Sequence, residues 1–252
     1  VVPDDVAFLQ FTSGSTSAPK GVKVTHGSLV ANCWAIAEHG IQLTPGKDRT
    51  VSWLPLYHDM GLIGFVVTPI LKGVPTYFIP TMSFVKRPNQ WMQAMHDHRG
   101  TISFGPNFAF ALAAKRVTEK ELKAWDLSCV RIVGCGAEPI HPAVMMEFQE
   151  KLAPAGLRAN AVMPSYGMAE ATLAMSFHPP GTELVVANLD AEVFRETGKV
   201  KEADYDTLSL SFVSCGKPFP EHGIRIVSAD GEVLPEGREG EIQFSGPSVT
   251  AG

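Results

Sequence analysis

Short apolar runs alternate, along most of this chain, with longer segments in which apolar residues recur at helical spacing. The runs VAFLQF, TVSWL, TYFIP, TISFG, VRIVG and ANAVM show apolar continuity more than strict alternation, so they read as strands covered on both faces. Between them, segments 27–39, 58–71, 88–98, 106–117 and 142–152 read as helices. The last three open on a proline, where a helix tolerates one. A strand, helix, strand repeat of this kind folds as an α/β layer structure: a mainly parallel sheet with right-handed crossovers and helices packed on it.

After Gly216 the pattern changes. GIRIVSADGEVLPEGREGEIQFSG reads as short antiparallel strands with Asp230-Gly231 and Glu236-Gly237 at the turns, the start of a small antiparallel β subdomain. The stretch between the two patterns is polar, carries proline and charge, and has no clear period. A loop of that length is uncommon without a task. The expected organisation is an α/β core over 1–175, an insertion or connector over 176–214, and the beginning of the β subdomain over 215–252.

A chain of 252 residues is long enough to bury a real core. Its formal net charge of -5 offers no general attraction for phosphate backbones, which argues against a nucleic acid partner. Cys33, Cys129, Cys135 and Cys215 form no C-x-x-C pair, so neither zinc nor a disulfide framework is suggested and a reducing, cytoplasmic location is expected. The most apolar segment, MGLIGFVVTPILKG, is broken by Pro69 and is shorter than the roughly 20 residues of a membrane span. The opening VVPDD lacks the positive n-region of a signal peptide. The chain opens without methionine and stops at SVTAG, which suggests a piece of something longer.

Chemistry concentrates first in TSGSTSAPKG. Thr12, Ser13, Ser15 and Thr16 supply hydroxyls, Gly14 supplies backbone freedom, and Lys20 a positive charge. Such a loop can wrap a polyphosphate. It is not the Walker loop, because Pro19 stands where a glycine would be needed and Lys20 precedes its glycine. Taken alone, the stretch also suits a plain surface hairpin.

Three further segments follow in order: SWLPLYHDMGL, GCGAEPI and PSYGMAEAT. With the loop, they resemble the adenylate-forming superfamily of acyl-CoA synthetases, luciferases and nonribosomal adenylation domains. The resemblance runs from Phe8 to Gly252 and implies ATP as substrate. A carboxylate attacks the α-phosphate, pyrophosphate leaves, and an acyl adenylate results. It implies phosphate binding by Thr12, Ser13, Gly14, Ser15, Thr16 and Lys20, and an adenine pocket from Gly136, Ala137, Glu138, Pro139, Ser165, Tyr166 and Gly167. Tyr166 would offer a ring face to the base. Glu170 would hold Mg²⁺ with its hard carboxylate. His58 and Ala169 would lie by the acyl carboxylate and α-phosphate, with His58 positioning the substrate and controlling entry, not transferring protons. Catalysis would thus rest on His58, Glu170 and Lys20.

Within the superfamily the chain looks most like the fatty acyl-AMP ligases. SWLPLYHDMGLIG, GPNFAFAL, FVKRP and the segment around CVRIVGCGAEP resemble that branch. Ala169 stands where acyl-CoA synthetases usually carry threonine, and extra chain lies between Glu170 and Gly216. Carrying it adds little closure entropy, about 0.6 kcal/mol per doubling of a loop. In the branch such an insertion, here about 177–212, packs against a mobile C-terminal domain and disfavours entry of coenzyme A. The implied acceptor is an acyl carrier protein of a polyketide or lipopeptide pathway, and the implied acid a fatty acid. The family's first segment, ribose-binding aspartate and catalytic lysine are not in these residues, so a central piece with little activity by itself is expected. An acyl-CoA synthetase and a noncatalytic acyl- or nucleotide-binding module are the competing readings.

Overall fold

The computed structural model describes residues 1–12 and 20–252. Val6–Thr12 (β1) and Lys20–Thr25 (β2) pair antiparallel. Thr25 then caps His26–Trp34 (α1): its hydroxyl accepts the Ser28 N–H at 3.1 Å while the Ser28 hydroxyl accepts the Thr25 N–H at 3.2 Å. The helix runs on as a π-helical turn, Ala35–Gly40. Thr50–Ser52 (β3) leads into Asp59–Leu62 (α2), a second π-helical turn over Ile63–Val67, and Thr68–Lys72 (α3). Gly73 closes α3 at φ +66°, the left-handed geometry that glycine adopts without strain.

The alternation continues through Thr76–Phe78 (β4), Thr81–Lys86 (α4), Asn89–Asp97 (α5), Ile102–Gly105 (β5), Asn107–Arg116 (α6), Glu119–Ala124 (α7), Ile132–Cys135 (β6), Pro142–Leu152 (α8) and Val162–Gly167 (β7). The chain then turns antiparallel with Ala174–Phe177 (β8), Val186–Asp190 (β9), Ala191–Thr197 (α9), Ser209–Val213 (β10), Lys217–Pro218 (β11), Gly223–Val227 (β12) and Glu241–Ser245 (β13).

One sheet of seven strands organises the molecule, in the order β11-β8-β7-β6-β5-β3-β4. From β4 to β7 all pairs are parallel, and β8 and β11 extend that edge antiparallel. β3, β5 and β6 are buried throughout, as their unbroken apolar character requires of strands covered on both faces. Buried aromatic rings fill one side, where Trp53 stacks on Phe84 at 3.7 Å between centroids and Trp91 meets Phe110 edge-on. The Trp91 indole N–H is satisfied by the Ser103 hydroxyl at 2.7 Å.

The VAFLQF strand is a correction to the sequence reading. It forms, but among the described residues it stays outside the large sheet and pairs only with β2, leaving Phe11 65% and Leu9 52% exposed. Apolar continuity says that a strand is favoured; it does not say which partner the chain's turns will supply. The stretch without clear period is also structured. β9 and β10 pair antiparallel, and Asp190 caps α9 by accepting the N–H groups of Glu192 and Val193, each at 3.1 Å. Ser176 and Phe177 belong to β8 in the large sheet, and β12 pairs antiparallel with β13.

Candidate active site

The parallel strands deliver their C-terminal ends to one cavity of about 750 Å³, the crevice where open α/β sheets bind ligands. β6 runs out into Gly136 and Ala137, and β7 ends on Ser165, Tyr166 and Gly167; all five line the cavity. The two segments touch. The Ser165 hydroxyl donates to the Cys135 carbonyl at 3.0 Å, and a Cβ on Gly136 would stand 2.6 Å from the Ser165 oxygen. Glycine at 136 is therefore a packing requirement. Gly167 is required more strictly, since a Cβ there would fall 1.9 Å from the Leu173 carbonyl oxygen. Tyr166 remains partly exposed at the cavity wall, Ala169 is buried, and the exposed Glu170 completes this side. The Glu170 backbone carbonyl accepts the Thr250 N–H at 3.0 Å and the Thr250 hydroxyl at 3.1 Å.

His58 enters the cavity from the turn between β3 and α2, where it is the helix N-cap. Its Nδ1 lies 2.7 Å from an Asp59 oxygen and 3.3 Å from the Met60 nitrogen. The shorter contact governs: Nδ1–H donates to Asp59, and the Met60 N–H is satisfied by the same carboxylate at 2.6 Å. The hydrogen bond to Asp59 holds the His58 pKa above its ordinary value, against the opposing effect of burial. The tautomer this favours leaves Nε2 free for a ligand.

The β1–β2 hairpin closes the polar end. Thr12 and Lys20 are register partners and both line the cavity, with Gln10 and Phe11 beside them. The Gln10 amide donates to the Tyr57 carbonyl at 3.2 Å, tying the hairpin to the turn that carries His58. Ser13, Gly14, Ser15 and Thr16 lie outside the described residues. The other end is apolar, lined by Ile36, Ile41, Leu43, Phe65, Phe104 and Phe177. Ile36 belongs to one π-helical turn and Phe65 to the other; such turns recur at functional sites.

Two expected residues are placed elsewhere. Glu138 and Pro139 do not line the cavity, and the Glu138 carboxylate accepts the Phe108 N–H at 2.7 Å at the start of α6. The FVKRP stretch lies at a separate surface depression of about 540 Å³ with Arg116. Asp59 and Gln10 were missed by sequence reasoning. The signal for Asp59 was its place beside a histidine at a helix start; Gln10, inside a β run, gave none.

Among the described residues no group of three or more His, Cys, Asp or Glu side chains could cage a metal ion. A lone exposed Glu170 carboxylate at a polar rim suits Mg²⁺ that arrives on phosphate oxygens, since that ion is usually held by one or two carboxylates, substrate phosphates and water. The residues present fit such an ion.

The AMP-binding enzyme profile matches residues 1–252. A Caulobacter vibrioides protein provisionally called an acyl-CoA synthetase is 42% identical over 99% of this chain and 44% of its own length. A medium-chain-fatty-acid–[acyl-carrier-protein] ligase of Teredinibacter turnerae is 36% identical over 98% of this chain and 38% of its own. A solved chain from a study of fatty acyl-adenylate ligases of E. coli and L. pneumophila superposes with TM-score 0.96 at 43% identity, covering all of this chain and 46% of that one. The chain thus spans less than half the length of these relatives.

Proposed function

The chain belongs to the AMP-binding enzyme family, and from that premise we propose that it activates a fatty acid with ATP to a fatty acyl adenylate, releasing pyrophosphate, for transfer to an acyl carrier protein. One observation carries this reading: a single cavity joins a polar end bearing Lys20, His58 and Glu170 to an apolar end bearing Ile36, Ile41 and Phe104. A ligand with a charged head and a long apolar tail matches both ends at once.

In this reading the fatty acid carboxylate oxygen attacks the α-phosphorus while the bond to pyrophosphate breaks. Phosphoryl chemistry of this type is mostly positioning and electrostatic stabilisation. We assign Lys20 and Thr12 to the β- and γ-phosphates. Tyr166 flanks the adenine, which Gly136 and Ala137 let approach the backbone. His58, held by Asp59, orients the carboxylate from Nε2. Mg²⁺, when bound through Glu170, would supply charge neutralisation on the phosphates.

The acceptor is proposed from the fatty-acid–[acyl-carrier-protein] ligase relative, with a carrier of polyketide or lipopeptide assembly as the candidate to test. A cytoplasmic setting accords with four free cysteines, and no helix among the described residues is long and apolar enough to cross a membrane. The test is ATP–pyrophosphate exchange dependent on fatty acid, followed by product analysis with coenzyme A and with a pantetheinylated carrier protein offered in parallel. Acyl-AMP passed only to the carrier supports the proposal. The assay is run at the full length of the matched relatives, of which this chain spans under half: prompt acyl-CoA formation makes the acyl-CoA synthetase reading, which the Caulobacter relative favours, the correct one, and nucleotide binding without exchange there makes the protein a binding module.

A further inference from the structure

Two residues beyond Glu170 the backbone makes a turn that ordinary side chains avoid. Thr172 sits at φ +71° and ψ −57°, and the Leu173 N–H bonds the Ala171 carbonyl at 2.9 Å. This is the positive-φ γ-turn, rare and strained for any residue and most of all for a β-branched one. Glycine would relieve the strain, so threonine at this position has to be explained by its side chain. The Thr172 hydroxyl donates to the Ser248 carbonyl at 2.7 Å, and neither residue is exposed at all. The Ser248 hydroxyl is held in turn by His222 Nε2 at 2.6 Å.

The same short segment holds Glu170 directly. Thr250 bonds the Glu170 carbonyl with both its N–H and its hydroxyl. Ala251 and Gly252 pair with Lys23 of β2 at 3.1 and 2.6 Å. Residues 248–252 therefore bridge the hairpin that carries Lys20 and the turn that carries Glu170. The Leu173 carbonyl lies where a Cβ on Gly167 would fall, 1.9 Å from it, so the turn packs directly against the strand end that presents Tyr166.

We infer that Thr172 is a positioning residue whose hydroxyl anchors the strained turn to residues 248–252 and thereby fixes the Glu170 carboxylate at the cavity rim. Strained backbone persists only where surrounding structure over-determines it: two Asn32 bonds hold Ala174 and two Thr250 bonds hold Glu170, and the Thr172 hydroxyl supplies the buried side-chain bond at the strained residue itself. The inference deepens the proposed function, because it rests on Glu170 facing the magnesium–nucleotide complex.

The test compares Thr172→Val, Thr172→Ser and Thr250→Val in the purified protein. Binding of ATP with Mg²⁺ is read by calorimetry without fatty acid, beside the KM values for ATP and fatty acid in exchange and the unfolding temperature. A lost contact to a charged group weakens binding by roughly 10- to 100-fold, so Thr172→Val should weaken magnesium–ATP binding by up to about that factor. It should also raise the Mg²⁺ concentration needed for half-saturation, while the fatty acid KM stays within about twofold of wild type. Thr172→Ser restores the wild-type behaviour. Thr250→Val, at a less buried point, gives a smaller loss in the same direction, and it carries the test should Thr172→Val not fold. Unchanged magnesium–ATP binding in a folded Thr172→Val or in Thr250→Val overturns the inference, and so does an equal loss of ATP and fatty acid affinity. Wild-type protein of the relatives' full length that binds magnesium–ATP but shows no exchange removes the fatty acid reading, and the binding comparison still decides the role of Thr172.

Discussion

Asp48→Ala removes the hub of a buried polar cluster behind the apolar end of the cavity. Asp48 is 3% exposed and accepts four hydrogen bonds: from the Thr44 N–H at 2.8 Å, the Thr101 hydroxyl at 2.7 Å, and Arg131 Nε and Nη2 at 3.1 and 3.0 Å. Arg131 also donates to the carbonyls of Ile41 and Gln42, in the segment that places Ile41 and Leu43 on the cavity wall. Breaking a buried pair from one side costs about 3–5 kcal/mol. The Arg131 side chain is 32% exposed, so water recovers part of its solvation and the lower end, about 3 kcal/mol, applies. At about 2–4 °C per kcal/mol for a domain of this size, Tm should fall by roughly 6–12 °C. Burial alone would raise the Asp48 pKa, but hydrogen bonds from Arg131, Thr44 and Thr101 outweigh it and hold the carboxyl below its ordinary value. A carboxylate depressed by folding contributes stability above its unfolded pKa of about 3.9, and that contribution drains as pH falls through the lower folded value. The gap between wild type and variant should therefore be full at about pH 7 and about pH 5 and narrow only below about pH 4. Unfolding curves at those pH values measure it. A Tm shift under about 2 °C, or a gap that already shrinks between neutral pH and about pH 5, refutes the reasoning.

Glu170→Gln keeps the shape of an exposed side chain and deletes its charge, so the unfolding temperature should hold while fatty-acid-dependent exchange falls about 10²-fold or more; a wild-type rate at limiting Mg²⁺ would remove Glu170 from the metal role. Gly136→Ala puts a methyl 2.6 Å from the Ser165 hydroxyl, an overpacking cost of about 1–3 kcal/mol, and should weaken nucleotide binding more than fatty acid binding, as measured by separate titrations. In Asp59→Asn the His58 imidazole, followed by NMR, should titrate at lower pH than in wild type, because the partner that raises its pKa is gone. The pair's small stabilisation is present below the ordinary histidine pKa of about 6.5 and lost as pH rises through the folded value; an unmoved NMR midpoint would reject the pairing.

The parallel layer was legible because burial on both faces writes itself into composition. TISFG and VRIVG have nowhere to be but inside a covered sheet, and α8 runs over the residues its proline start and apolar period indicate. The antiparallel edge was not legible. Ala174–Phe177 follows the Glu170 turn so closely that it reads as part of the motif, and its pairing is set by a turn whose geometry no local propensity would suggest. The β9–β10 pair hides for another reason: most of its residues are at least partly exposed, so the alternation that burial would impose is faint. β1 shows the opposite failure. It is apolar enough for a core strand, yet the hairpin to β2 keeps it outside.

The site divides along the same line. Gly136, Ser165, Tyr166 and Glu170 were singled out by the ordered motifs and the resemblance those carry, and the structure brings all four to the lining of one cavity. What joins them was not legible. Gln10 reaches the backbone of Tyr57, and residues 248–252 reach both Lys23 and Glu170, contacts between segments far apart in the chain that no short window contains. These contacts tie together segments that the motifs present separately. Lys20 and Lys23 lie on the same strand, and the hydrogen bonds that anchor this strand through Lys23 belong to the segment that anchors Glu170. One continuous stretch of backbone, residues 248–252, thus bonds both the strand that carries Lys20 and the turn that carries Glu170.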